Sequence, residues 1–195
     1  MNQDELLQHA LFEKKIVVVR MIYFYRMYEN FWMRNFELAY SYAEKHTFTK
    51  GPGQLKENMI FFYKGLMAFY FARESGKQKW IDEGEKSVDA LKSWAENYKW
   101  NYENKYFLLL AEYHNSLRDC PKAEYFYMKA VESAHDHRFP HEKGLSLELL
   151  GYFYFQQGDI IQALKYMGEA RVSYEVWGAV RKIQSLDAFI ATHSP

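Results

Sequence analysis

Leu147-Glu148-Leu149-Leu150-Gly151-Tyr152-Phe153-Tyr154 runs into Gln157-Gly158-Asp159, and the chain resumes through Ala163, Met167 and Ala170. Leu147, Leu150, Gly151 and Tyr154 fall at i, i+3, i+4 and i+7, which places them on one stripe of a helix. Ala163, Met167 and Ala170 make the answering stripe of a second helix, and Gly158-Asp159 supplies the turn between them. Small residues at Gly151 and Ala163 let two backbones approach where a larger side chain would hold them apart. The stretch reads as an antiparallel helix pair.

The pair recurs. Phe107, Leu110, Ala111 and His114 form a stripe, Arg118-Asp119-Cys120-Pro121 turns, and Ala123, Tyr127 and Ala130 answer. Ala111 to Gly151 is 40 positions, and so is Ala123 to Ala163. Two independent landmarks with one spacing are what stacked, equal hairpins require. Leu-Gly-x-x-Tyr followed by Ala-x-x-x-aromatic is the tetratricopeptide pattern, with Met167 in place of the aromatic and Glu175 in place of the closing proline.

Outward from there the chain reads as helix after helix. A first long helix is expected over about 3–31, with Leu7, Leu11, Val18, Met21, Ile22, Tyr25 and Tyr28 near a helical period. After a break at Trp32-Met33-Arg34 comes a helix holding Ala39 and Ala43. Gly51-Pro52-Gly53 forces a turn. Helices over about 55–73, with Gly65, Ala68 and Ala72 on one face, and 80–96 follow. Residues 97–104 read as a polar connection. Pro121 suits the first turn of its helix, where a missing N–H costs nothing. Trp177-Gly178 stops the last pair, and a final helix over 179–190 turns Val180, Ile183, Leu186 and Ile190 inward and Arg181, Lys182 and Asp187 outward, as the end of an open stack needs. The expected architecture is therefore all-α, one domain over 1–195. It is a tetratricopeptide-like right-handed superhelix with hairpins near 3–50, 55–97, 104–138 and 141–177 and a capping helix at 179–190.

Composition narrows the function. The 25 Lys and Arg balance 25 Asp and Glu, so no global field draws the chain to nucleic acid or to an anionic membrane. One cysteine, Cys120, cannot form an intrachain disulfide, which fits a reducing cytoplasm. The start lacks the basic residues of a secretory leader, and the apolar run from Ile16 to Tyr25 contains Arg20 and is too short to span a bilayer. His135, His137 and His141 cluster, yet a closed zinc site needs four well-placed ligands, and positive charge at a helix C-terminus explains them. His141-Glu142 would open a zinc-protease motif, but Leu145 stands where its second histidine belongs. Glu83 and Glu85 fall on different sides of their helix. No cofactor is called for.

From about Met59 to Ile190 the sequence resembles the helical-repeat region that follows the AAA-type ATPase in large multidomain signalling kinases. The resemblance is carried by Trp94-Ala95-Glu96, Asn101-Tyr102, Lys105-Tyr106, Phe139 and His141-Glu142. It continues through Glu148-Leu149-Leu150-Gly151, Ala170-Arg171, Tyr174, Trp177-Gly178-Ala179 and Lys182. It implies a repeat module attached to, or related to, an ATPase and kinase whose own motifs are not in this chain. The expected function is a non-enzymatic interaction or scaffold module for a protein, a peptide or neighbouring domains. The alternative is a small all-helical phosphotransfer bundle with His9 or His114 as the active histidine; His9 has no basic partner before Lys14.

Aromatics make up 19% of the chain, with 17 Tyr and 15 Phe. If the first helix of each pair lines the inner surface, Phe62, Leu66, Phe69, Tyr152 and Phe155 line a groove, joined by Phe24 and Tyr28 from the first pair. Such a groove would hold a peptide by apolar anchors. Of the side chains a carboxylate-binding groove uses, Lys105 and Asn115 are present. The competing reading is that these aromatics fill a core or an interface to neighbouring domains.

Overall fold

The computed structural model describes residues 2–48 and 57–194. Among them lie ten helices and no strand: α1 (Gln3–Phe12), α2 (Ile16–Trp32), α3 (Phe36–Phe48), α4 (Glu57–Ser75), α5 (Gln78–Asn97), α6 (Lys99–Ser116), α7 (Cys120–Asp136), α8 (Pro140–Gln156), α9 (Ile160–Trp177) and α10 (Val180–His193). The pairs α2–α3, α4–α5, α6–α7 and α8–α9 pack as antiparallel hairpins, with α1 before them and α10 after. The Gly51-Pro52-Gly53 turn lies outside the described residues.

Helix starts follow side-chain chemistry. Asn2 accepts from the amides of Asp4 and Glu5 while Glu5 accepts from the Asn2 amide at 3.0 Å, a reciprocal cap on α1. Asp119 and Asp159, forty residues apart, cap α7 and α9 by accepting from the amides of Lys122 and Gln162.

The α2–α3, α6–α7, α7–α8 and α8–α9 connections share one geometry. Each is three residues whose middle member is left-handed: Arg34 (φ 60°), Arg118 (58°), Arg138 (61°) and Gly158 (80°). The amide that follows reaches back to the sixth-last carbonyl, as in Asp119 to His114 at 2.9 Å, Phe139 to Ala134 at 2.9 Å and Asp159 to Tyr154 at 3.0 Å. Gly178 (80°), with Ala179 bonding Tyr174 at 2.9 Å, repeats the closure. Residues 118, 138, 158 and 178 stand at successive steps of 20, so from α6 onward turns within hairpins and turns between them are the same turn.

Three sequence expectations are corrected. The first long helix is two, because Lys14 takes φ 54° and the Lys15 amide bonds Ala10 at 2.8 Å; the expected pair 3–50 thus contains three helices. Residues 97–104 are not a connection: only Tyr98 separates α5 from α6, and exposed Lys99 and Asn101 form the solvent side of the first turn of α6 while Asn104 is buried. In α10, Leu186 is buried, but Val180 is exposed and Lys182 is buried.

Close approach depends on glycine at three places, the tightest being Gly84 of α5, where a Cβ would stand 2.3 Å from the Phe69 ring. A Cβ on Gly65 of α4 would stand 2.7 Å from both Ser87 of α5 and Leu109 of α6, and one on Gly144 of α8 would stand 2.6 Å from the ring of Tyr174. At Gly151 the tightest neighbour is the flexible Met167 at 3.0 Å, a milder constraint. Helices α4 and α8 are buried on nearly all sides, and one continuous core runs from Phe24 to Leu186, with a satellite of Leu7, Ala10, Val19 and Ile22 under α1.

Gly65→Ala is expected to cost about 1–3 kcal/mol by overpacking two interfaces at once, read from urea unfolding, whereas Gly168→Ala, with nothing near its Cβ, should not destabilise. Deleting residues 178–195 removes Leu186 and the cation buried against Glu148, and should lower the melting temperature and promote association in light scattering; an unchanged melt of a monodisperse truncation would refute the capping role.

Candidate functional site

The first helices of the hairpins converge. Phe31 of α2 lies 4.6 Å from Tyr63 of α4, and Tyr28 lies 5.6 Å from the same ring. Trp32 reaches the other end of the chain, 4.9 Å from Trp177 and 6.0 Å from Tyr174. At the α2–α3 turn the Arg34 guanidinium sits 4.0 Å over the Tyr152 ring and 3.8 Å from Glu148. The first hairpin therefore leans against the last, and the inner face is filled from within.

This decides where the sequence-derived groove residues stand. Phe24, Phe62, Leu66 and Phe69 are buried, at 5%, 1%, 3% and 0% exposure, and present no surface to a partner in this conformation. Phe155 is half-buried against Phe189 and His193. Tyr152 and Leu66 meet on an enclosed cavity of about 50 Å³, shared with Phe31, Arg34, Tyr70 and Arg73. That volume suits a few waters, far below the several hundred Å³ of a ligand site. Burial, opposed by Arg34 and aided by Glu148, holds the Tyr152 phenol above its ordinary pKa.

The inner face carries three buried carboxylates that apolar periodicity did not flag. Glu112 pairs with Arg73 at 2.7 Å and accepts from Tyr127. Glu148 pairs with Lys182 at 2.7 Å and accepts from Tyr174 at 2.6 Å. Glu142 pairs with Lys105 at 2.5 Å and accepts from Asn104. Burial alone would push the Glu142 carboxyl up; hydrogen bonds from His141, Lys105 and Asn104 and the Lys105 charge outweigh it and hold the group below the usual carboxylate range. Burial, then the neighbouring carboxylate, keeps Tyr127 and Tyr174 protonated. In local pattern Glu112 and Glu148 show only as an isolated Glu inside an apolar run, such as Leu147-Glu148-Leu149, and Glu142 shows no such mark. Lys105 and Asn115 are engaged here too, Lys105 with Glu142 and Asn115 with the Tyr127 hydroxyl at 3.4 Å.

The histidines go separate ways. His137 packs 4.7 Å from Trp100, His141 5.4 Å from Trp177, and His135 lies 3.5 Å from the Lys143 ammonium. His114 stacks on Phe126 at 5.4 Å, and exposed His9 pairs with Glu13 at 3.3 Å. Among the described residues no three His, Cys, Asp or Glu side chains converge on a metal position, and no helix is long and apolar enough to cross a membrane.

Accessible concavities lie elsewhere. A polar one of about 490 Å³ spans the C-terminal ends of α4, α6 and α8, between Arg73, Arg118 and Gln157. An open apolar groove of about 400 Å³ runs between Tyr28, Trp32 and Met33 and the α9–α10 turn at Trp177 and Val180. A second, also about 400 Å³, lies where the α7–α8 turn meets α9. No family model matches the chain, and no curated protein matches it.

Glu112→Gln removes the charge that compensates buried Arg73, and should destabilise by about 3–5 kcal/mol in urea unfolding. Adding Arg73→Met to that variant should recover part of the loss; no recovery would mean the two side chains do not act as a pair.

Proposed function

We propose that this chain is a cytoplasmic interaction or scaffold module of tetratricopeptide-like, right-handed superhelical type, without catalytic activity of its own. In this reading it serves a protein partner or the neighbouring ATPase and kinase domains that its sequence resemblance implies. The observation that carries the reading is the distribution of accessible apolar surface. The inner face is spent on the chain's own first hairpin, while two open grooves on the outside present Met33 and Val180 in one case and Val172 and Val176 in the other. Val172, Val176 and Val180 are 57%, 74% and 61% exposed. Such contiguous apolar surface on a helical stack is the material of protein contacts.

The buried acids support the same reading. Each has its donors already in place, so they serve as internal fasteners. A photo-crosslinking residue at Val176, at Val180 and at the exposed Tyr98, in the full chain inside its native cells, should yield adducts to other proteins from at least one position. Uncrosslinked chain at all three positions, or a labile phosphohistidine after incubation with a phosphodonor, would sink the module reading.

A further inference from the structure

The groove beside the α7–α8 turn differs from its counterpart one layer earlier. Its floor is Ala134, Phe139 and the exposed Val172 and Val176 of α9; its rim is His135, Arg138 and Lys143. The 40-residue register sets Lys143 against Glu103, Val172 against Glu132 and Val176 against Asp136. In the earlier layer these positions are acidic, and Glu103 accepts from Ser133 at 3.0 Å. In the last layer one acid has become a base and two have become valine.

Among the described residues no carboxylate pairs directly with the rim: none stands within ion-pair distance of His135, Arg138 or Lys143, and the Lys143 ammonium approaches the His135 ring at 3.5 Å. The groove also abuts the N-terminus of α8, a 17-residue helix whose N-cap residue, Phe139, offers no side-chain acceptor, so its partial positive charge adds to the three bases. A neutral chain thus holds one locally basic, apolar-floored trough. Basic rim, apolar floor and i, i+4 valines are complementary to an acidic amphipathic helix.

We propose that this groove docks an acidic amphipathic segment of a partner protein. Apolar side chains of the segment, one turn apart, lie on Val172 and Val176, and its carboxylates face Arg138, Lys143 and His135. The proposal rests on the module reading above and narrows it to one site and one partner chemistry. With a short floor and an exposed rim, the contact is salt-sensitive and driven largely by electrostatic encounter.

The test uses the full chain and a fluorescein-labelled amphipathic helix of Leu and Glu, its Leu and Lys counterpart, and phosphatidylserine-containing vesicles. Fluorescence anisotropy is expected to show the Glu peptide bound, more weakly as salt rises. Arg138→Glu with Lys143→Glu, or Val172→Ser with Val176→Ser, should each weaken it at least about tenfold with the melting temperature unchanged, since Arg138, Val172 and Val176 are exposed and Lys143 is only half-buried. No binding of the Glu peptide, equal binding of the Lys peptide, or affinity indifferent to both variants would overturn the proposal. So would vesicle binding or self-association of the wild type that these variants abolish, which would give the groove to a membrane or to a second copy. Crosslinks at Val180 or Tyr98 alongside any of these failures would leave the module reading standing and remove only this groove.

Discussion

A single backbone closure governs this molecule: one residue in the left-handed region, and the next amide bonded to the sixth-last carbonyl. It ends α1, α2, α6, α7, α8 and α9 alike. Glycine adopts the left-handed conformation at no steric cost, but Lys14, Arg34, Arg118 and Arg138 do so at a cost of the order of 1 kcal/mol each. The closure survives at those residues because it satisfies carbonyls that the helix end would otherwise leave unpaired and because the flanking helices are already packed. Its spacing of 20 makes every late helix nearly the same length. Equal helices stack face to face, and the hairpin period becomes 40.

Upon that frame the three buried carboxylates act between elements that are not neighbours in sequence. Glu112 ties α6 to α4 and α7, Glu142 ties α8 to α6, and Glu148 ties α8 to α9, α10 and the α2–α3 turn. Replacing such pairs by apolar residues need not lose stability, yet breaking one is costly, since an uncompensated charge is left in the core. A slip of one turn between α6 and α8 would strand Glu142 and Lys105 together. The fasteners thus discriminate among ways of stacking helices whose apolar stripes are broad and forgiving.

The same convergence moves the accessible surface outward. Aromatic rings that would line an open groove, Phe62 and Phe69 among them, are consumed in packing α4 against its neighbours. Trp32 and Arg34 carry the first hairpin onto the last. The apolar surface that remains open lies at the seam by the α9–α10 turn and at the α7–α8 turn.

The sequence by itself determined the helices and their pairing from Ala111 to Ala170, because apolar spacing, capping aspartates and a glycine turn are local properties of the chain. It also placed Leu186 inward and the stop at Gly178. Local pattern could not separate α1 from α2, since Lys14 bears no mark of the left-handed turn it adopts, and it read the polar start of α6 as a loop because a solvent-facing helix turn has the composition of one. Burial of Lys182, of the three glutamates and of the inner aromatics was decided only by the tertiary structure. Each depends on a partner from a distant helix, and no spacing within one helix can state which charge or ring will be waiting across the interface.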